Sequence, residues 1–259
     1  MTPEGVFIRN PDKLFIGGKW IAPLSGEQLE VVNPVSEEVV ARVAAAGDAD
    51  MDRAVAAARE AFDHGPWPTT PPAQRGAVLM KMADILERRV PEIAKAWCAQ
   101  IGGLTTRSEG MQMGSVMGLR GIAALGESFP WTEQKKGQMV DTAVIVREPV
   151  GVVVGIAPWN APFGIMLNKV AYALIAGNTI VMKPSPETPL EAYIIAEAAE
   201  EAGVPAGVIN LVPADREASD HLIHSEDIDK VSFTGSSAAG RHIASVCGAK
   251  MTRATFELG

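Results

Sequence analysis

Residues 150–183 read VGVVVGIAPWNAPFGIMLNKVAYALIAGNTIVMK, and the fold is decided there. Val150 to Ile156 is an unbroken apolar run too short for a helix, followed by a turn at Ala157-Pro158-Trp159-Asn160. From about Gly164 to Ala176 the apolar residues fall at helical spacing, and Thr179 to Met182 is a second short apolar run. Strand, helix, strand is the repeating unit of a parallel sheet, and a run without polar alternation belongs to a strand covered on both faces. The pattern then repeats. It predicts a helix over Leu190 to Glu201, a strand over Val208 to Val212 and a short helix around Asp220 to Ile223. A strand at Lys230 to Phe233, a helix at Ala238 to Val246 and a strand at Met251 to Leu258 complete the series. Five strands alternating with four helices imply an α/β fold with an open, doubly wound parallel sheet, Rossmann-like in its winding.

Upstream the texture differs. KLFIGGKWIA (13–22) alternates around a Gly-Gly pair and reads as a hairpin, with a further strand at Glu30 to Val32. Met51, Ala54, Val55, Ala58, Ala61 and Phe62 mark a helix, with Asp48 in the N-cap position. The prolines between Gly65 and Pro72 impose a loop. Amphipathic spacing predicts helices around Val78 to Leu86, from Pro91 to Gln100, and over 111–128. A Lys/Gln/Gly-rich turn at 134–138 and a strand at Thr142 to Arg147 follow.

Composition narrows the functional classes. A chain of 259 residues, 47% of them hydrophobic and 21% charged, is long enough to bury a sizeable core. The net charge of -8 argues against nucleic acid as a partner, which would call for a basic face. No apolar run approaches the roughly 20 residues of a membrane span, so no membrane partner is expected. Met1 to Pro11 holds no apolar core of the signal-peptide kind. The two cysteines, Cys98 and Cys247, lie far apart with no Cys/His cluster, which gives neither a disulfide framework nor a metal site. A reducing, cytoplasmic setting is expected.

In a doubly wound sheet ligands sit at the carboxyl ends of the strands. The peptides there are Ala157-Pro158-Trp159-Asn160, Lys183-Pro184-Ser185-Pro186, Val212-Pro213-Ala214-Asp215, Thr234-Gly235-Ser236-Ser237 and Glu257-Leu258-Gly259. Gly235-Ser236, with Gly240 beyond, opens a helix directly after a strand, where free N–H groups favour a phosphate. GxGxxG is absent, and the same residues also read as a plain strand-to-helix turn. Lys183 at a buried strand end calls for an anionic or polyhydroxyl partner, or else snorkels to the surface. Asn160 is either an oxyanion donor or a turn former. Glu257 is either a general base or a solvated strand-end carboxylate.

Together these stretches resemble the aldehyde dehydrogenase superfamily, in the part of it that binds the cofactor. LFIGGKW (14–20), VVNPVSEEVVARV (31–43) and DMDRAVAAAREAF (50–62) resemble its N-terminal segment. REPVGVVVGIAPWNAPF (147–163), IAGNTIVMKPSPETP (175–189), DKVSFTGSSAAG (229–240) and FELG (256–259) resemble its signature peptides, in order. The resemblance implies oxidation of an aldehyde to a carboxylic acid with NAD or NADP. It implies that Asn160 stabilises the oxyanion and that Glu257 activates the hydrolytic water. It gives Lys183 to the ribose hydroxyls of the cofactor, with Ser185 and Pro186 after it also among the cofactor-binding residues. Ser236, with the backbone of Gly235 and Gly240, would hold pyrophosphate. Ile156, Ala157, Pro158 and Trp159 would line the groove, with Phe233, Thr234 and Leu258 nearby. Arg75 and Arg147 would be structural.

The division expected from it is a hairpin and helices of the cofactor-binding domain over 1–135, oligomerisation strands over 136–149, and a Rossmann-like core over 150–259. A homodimer or homotetramer is implied. Three departures stand out. Pro186 occupies a place where the family often carries Glu, which leaves NAD versus NADP open, with Glu187 one position late. The loop 214–220 lacks the usual glycines and carries Arg216 instead. The family's reactive cysteine would come a few dozen residues after Glu257, and neither Cys98 nor Cys247 matches its motif. The chain is therefore expected to lack the catalytic domain and to be inactive alone. The alternative is a nucleotide-binding module without catalysis.

Overall fold

The computed structural model describes residues 2–259. Two hairpins come first, β1 (Leu14–Ile16) with β2 (Lys19–Ile21) and β3 (Gln28–Val32) with β4 (Val39–Ala44). Helices α1 (Asp48–Asp63), α2 (Pro72–Arg88), α3 (Val90–Ile101) and α4 (Thr105–Ser128) follow, then a third hairpin of β5 (Thr132–Lys135) and β6 (Ala143–Val146). The remainder alternates strictly: β7 (Val152–Ile156), α5 (Pro162–Ile175), β8 (Thr179–Lys183), α6 (Leu190–Ala202), β9 (Ile209–Leu211), α7 (Arg216–His224), β10 (Lys230–Gly235), α8 (Ser237–Lys250) and β11 (Arg253–Leu258).

The main sheet has seven strands in the order β11-β10-β7-β8-β9-β1-β2. Its five parallel members are the five expected ones, and the order reverses direction at β7, as a doubly wound sheet requires. The extra two strands are the N-terminal hairpin, which adds antiparallel to β9 through Phe15 and Leu211. Both faces of the sheet are buried. Val152, Val154 and Ile156 join the apolar cluster beneath α1, α7 and α8, while Val153 joins the one beneath α5 and α6. That two-sided covering is why β7 shows no polar alternation.

Local details differ from the sequence reading in three places. Asp48 is the first residue of α1, not its cap; Gly47 is the cap, and its N–H donates to Asp50 Oδ2 at 3.3 Å. Gln134 and Lys135, expected in a turn, pair with Val144 and Ala143, because ion pairs from Glu133 to Lys135 and Arg147 brace that hairpin. The strand at Val39–Ala44 was not anticipated; it pairs with β3 across a register shift at Val31/Val32.

Two polar anchors fix the start of β7. Asn178 Oδ1 accepts the N–H groups of Val150 (2.7 Å) and Gly151 (3.0 Å), and Asp229 Oδ2 accepts that of Val152 (2.8 Å). Asp229 is itself paired with Arg59 of α1 at 2.8 Å. Arg75 is buried and donates to the carbonyl of Ile175 at 3.0 Å, which ties α2 to the end of α5.

Glu191, in the first turn of α6, is wholly buried. One carboxyl oxygen accepts from Gln100 Nε2 at 2.7 Å, and the other, Oε1, has no partner. Burial raises its pKa from 4.5 to about 7, against the opposing pull of the Gln100 hydrogen bond. A folded-state carboxyl with a raised pKa gives stability that is complete below the ordinary value of 4.5 and lost as pH rises through about 7. The loss over that window is on the order of 3 kcal/mol. Urea unfolding at pH 5 and pH 8 should show that loss in the native chain and little of it in Glu191→Gln. An equal loss in both proteins would show that Glu191 is not its source.

Candidate active site

Strand register assembles the rim before any side chain is considered. Ile156 pairs with Lys183 on one side and Phe233 on the other, and Phe233 pairs with Phe256. One row therefore crosses four adjacent strands at the sheet's carboxyl edge. Residues in register project to one face, so Lys183, Ile156 and Phe233 all look toward α7 and α8. The next residue along β11, Glu257, pairs with Thr234 and projects to the opposite face, toward α5.

A groove of about 750 Å³ runs across this edge. Ile156, Ala157, Pro158, Trp159 and Asn160 line it from β7, with Lys183 and Ser185 from β8 and its loop. Phe233, Thr234, Gly235 and Ser236 line it from β10, and Glu257 and Leu258 from β11. It continues into a recess of about 420 Å³ between the loop after β8 and helices α7 and α8, where Pro186, Glu187 and Arg216 lie. Of the catalytic and cofactor-binding residues expected from the sequence, Gly240 alone lies off the groove and its recess. Its amide is committed to the Ser236 carbonyl at 2.9 Å and is not free for a ligand. A Cβ there would come within 2.5 Å of Leu258 Cδ2, so the glycine lets α8 sit close to β11.

Each polar group has a definite state. Lys183 is only 7% exposed, and no protein acceptor holds its ammonium among the described residues. Burial brings its pKa down from 10.5 to about 8, opposed by the carboxylates of Glu187 and Asp215. Ser236 caps α8, its Oγ accepting from Ala239 N–H at 3.3 Å. The amides of the first helical turn have no intrahelical acceptors and face the groove's end of the helix. Asn160 is exposed, with its side-chain carbonyl accepting from Ala161 N–H at 3.0 Å, so the NH₂ is the half left for a ligand. Its backbone carbonyl is fixed by the Trp97 indole of α3 at 3.2 Å.

Sequence reasoning missed Lys169. It stands on α5, nine residues beyond Asn160, and donates to Ser232 Oγ at 3.1 Å. Burial lowers its pKa from 10.5 to about 8, opposed by the charge of Glu257. The signal available in sequence was only its place on the sheet-facing side of an apolar helix. The two cysteines stand elsewhere: Cys98 opens onto a different surface groove beside Pro3 and Thr105, and Cys247 is on the buried side of α8, where burial pushes its thiol up. Among the described residues no group of three or more His, Cys, Asp or Glu side chains is placed to hold a metal. None of the helices so described is long and apolar enough to cross a membrane.

A sheet reversing at β7, a buried lysine beside that switch, and an asparagine and a glutamate facing it narrow the choice of family, and the model of the aldehyde dehydrogenase family matches residues 20–259. The chain belongs to the aldehyde dehydrogenase family. Geranial dehydrogenase of Castellaniella defragrans is 42% identical over 95% of this chain and 52% of its own length. A cytosolic aldehyde dehydrogenase of Rattus norvegicus is 38% identical, again over 95% of this chain and 50% of its own. The crystal structure of a Mycobacterium tuberculosis aldehyde dehydrogenase complexed with NAD+ superimposes with a TM-score of 0.93 at 44% identity, covering 96% of this chain and 51% of that one. A mutant aldehyde dehydrogenase of Pseudomonas syringae with NAD+ and octanal gives 0.92 at 38% identity, covering 98% and 51%. The chain thus spans about half the length of the relatives it matches.

Because Glu257 supports the charge on Lys169, Glu257→Gln should lower the Lys169 pKa below about 8. NMR titration of labelled lysine side chains reads this directly. An unmoved Lys169 would mean the two groups do not feel each other across the strand end.

Proposed function

We propose that the complete protein oxidises an aldehyde to a carboxylic acid with NAD+, and that this chain forms its cofactor-binding part. The observation carrying the reading is the convergence of Asn160, Lys183, Ser236 and Glu257 on one groove at the switch point of the sheet. The relatives solved with NAD+ support the choice of cofactor.

The residues present fit such a group. Lys183 is a desolvated ammonium without a protein acceptor, and ribose hydroxyls would supply one. Ser236 and the first turn of α8 present donors suited to pyrophosphate. Ile156, Ala157 and Phe233 give the apolar wall against which a ring system packs. Bound there, NAD+ would supply the hydride acceptor.

The chain's own residues then divide the remaining work. The Asn160 amide donates to the aldehyde oxygen as it becomes negative when a thiol adds to the carbonyl carbon. Once that adduct has given up its hydride to the acceptor and become a thioester, the Glu257 carboxylate takes a proton from the water that attacks it, releasing the acid and restoring the thiol. Lys169, beside Glu257 and largely desolvated, balances that charge between turnovers. Neither Cys98 nor Cys247 reaches the groove, so the thiol falls to the part of the family's length that this chain does not span.

We further propose that the β5–β6 hairpin is an assembly surface. Among the described residues it pairs only with itself, and Val144, Ile145 and Val146 are exposed along it, a liability unless another strand or copy covers them.

Two measurements test the reading. NAD+ at a hundred times its dissociation constant should stabilise the chain by about 2.7 kcal/mol in thermal or urea unfolding, and Lys183→Met should remove most of that effect. No stabilisation at any concentration would refute the cofactor site. In the complete protein, Asn160→Ala should reduce kcat for aldehyde oxidation by roughly 10²–10³-fold; an unchanged kcat would remove Asn160 from the chemistry.

A further inference from the structure

Among the described residues no side chain caps α5; its cap position is Ala161, at φ −136° and ψ 58°. The peptide unit joining Asn160 to Ala161 is held at both ends instead. Its oxygen accepts from the Trp97 indole N–H at 3.2 Å, and its N–H donates to the side-chain carbonyl of Asn160 at 3.0 Å. The peptide is trans and planar, with oxygen and N–H pointing in opposite directions, so fixing one fixes the other. Holding the oxygen therefore orients the acceptor half of the Asn160 side chain, and with it the NH₂ left for a ligand.

Trp97 reaches that loop from a fixed base. It stands half-buried near the end of α3. Gly102, at φ +67°, turns the chain back after the helix, its N–H donating to the Cys98 carbonyl at 3.0 Å. Gly103 then lies against the indole, and a Cβ there would overlap the six-membered ring. Gln100, one turn beyond Trp97, is buried and bonded through both halves of its amide. Its Nε2 donates to Glu191 at 2.7 Å, and its Oε1 accepts from Leu190 N–H at 3.0 Å. Helix α3 is thereby tied to the start of α6, and the indole is seated on the glycine.

We propose that Trp97 is a positioning residue for the oxyanion donor: its indole N–H, seated on Gly103, sets the angle at which the Asn160 amide meets the aldehyde oxygen. The inference rests on the role proposed above for Asn160. An oxyanion donor works by being in place before the charge develops. Asn160 is exposed, so packing does little to hold its side chain, and the bonds at its own peptide supply the orientation. Trp97 lines neither the groove nor the recess beyond Lys183, so its route to the reaction runs through Asn160. The rival role is packing of the ring on Gly103 and nothing more.

Trp97→Phe separates the two, because it keeps a ring on Gly103 and removes the N–H. In the complete protein it should lower kcat for aldehyde oxidation about tenfold and leave the NAD+ dissociation constant unchanged. Gly103→Ala, which displaces the indole from its other side, should reproduce the loss. Placed in Asn160→Ala, Trp97→Phe should cost nothing further, since the donor it orients is gone. In the 259-residue chain, NMR of labelled side-chain amides should show the Asn160 signals moving in Trp97→Phe while those of Asn178 and Asn210 stay. A native kcat or unmoved Asn160 signals in Trp97→Phe, with Asn160→Ala still damaging, overturn this proposal and spare the oxyanion role. An equal loss in the native and Asn160→Ala backgrounds overturns it as well, for Trp97 then acts by another route. Asn160→Ala without effect on kcat overturns the oxyanion role and this inference with it.

Discussion

Strand β7 buries all five of its residues, and only helices on both faces of the sheet allow this without exposing apolar surface. The chain meets that requirement by winding β8 and β9 to one side and β10 and β11 to the other. The reversal leaves a crevice at the carboxyl end of β7 that no crossover helix can close, because the connections on its two sides depart in opposite directions. Every group at the candidate site stands on that crevice. The anchors at the opposite end of β7 act to the same purpose: Asn178 and Asp229 hold the strand's amino end, so the position of Ile156 relative to Lys183 and Phe233 is fixed by register rather than by the loops.

The same geometry divides the site between the two faces of the sheet. Side chains alternate along a strand, so Phe256 and Glu257 cannot look the same way. The first joins the α7–α8 face, where Lys183 and the recess with Glu187 lie; the second joins the α5 face with Lys169. In the function proposed above, nucleotide recognition and proton handling would thus fall on opposite sides of one sheet edge. A ligand that touches both has to lie across the strand ends. An extended dinucleotide has the length and the sequence of polar and apolar parts to do so.

Most of the core was legible in the sequence because its strands and helices differ in period and length. Val150 to Ile156 is too short and too uniformly apolar to be anything but a buried strand, and the helix after it carries clear spacing. The rim residues were legible one by one only as ambiguous turn formers; the resemblance supplied their roles, and the register then showed them side by side. What stayed hidden had physical reasons. The hairpin β1–β2 joined the main sheet through Phe15 and Leu211, a contact spanning about three quarters of the chain, and no local pattern encodes it. Lys169 looked like an ordinary helical lysine, since its meaning comes from Ser232 and Glu257 on two later strands. Gly240 was misread because a glycine serves a phosphate and a close helix–strand contact equally well in sequence. Asp50 took over the capping work expected of Asp48 because it is the residue that reaches Gly47 from inside the first turn.

Under the proposed function, the two depressed lysines would let an acidic protein present a site for a polyanion. The net charge of -8 is spread over the surface, where water and salt screen it. Lys183 and Lys169 lie where screening is weak, each desolvated at the same sheet edge, with the carboxylates of Glu187 and Asp215 acting on the first and that of Glu257 on the second. Desolvation makes an ammonium costly until an acceptor arrives, so a bound hydroxyl or phosphate recovers part of what burial took away. That recovery is available only in the crevice, which is why binding would be selective for it over the many exposed lysines and arginines elsewhere. It also ties affinity to protonation, because both groups are half-titrated near pH 8.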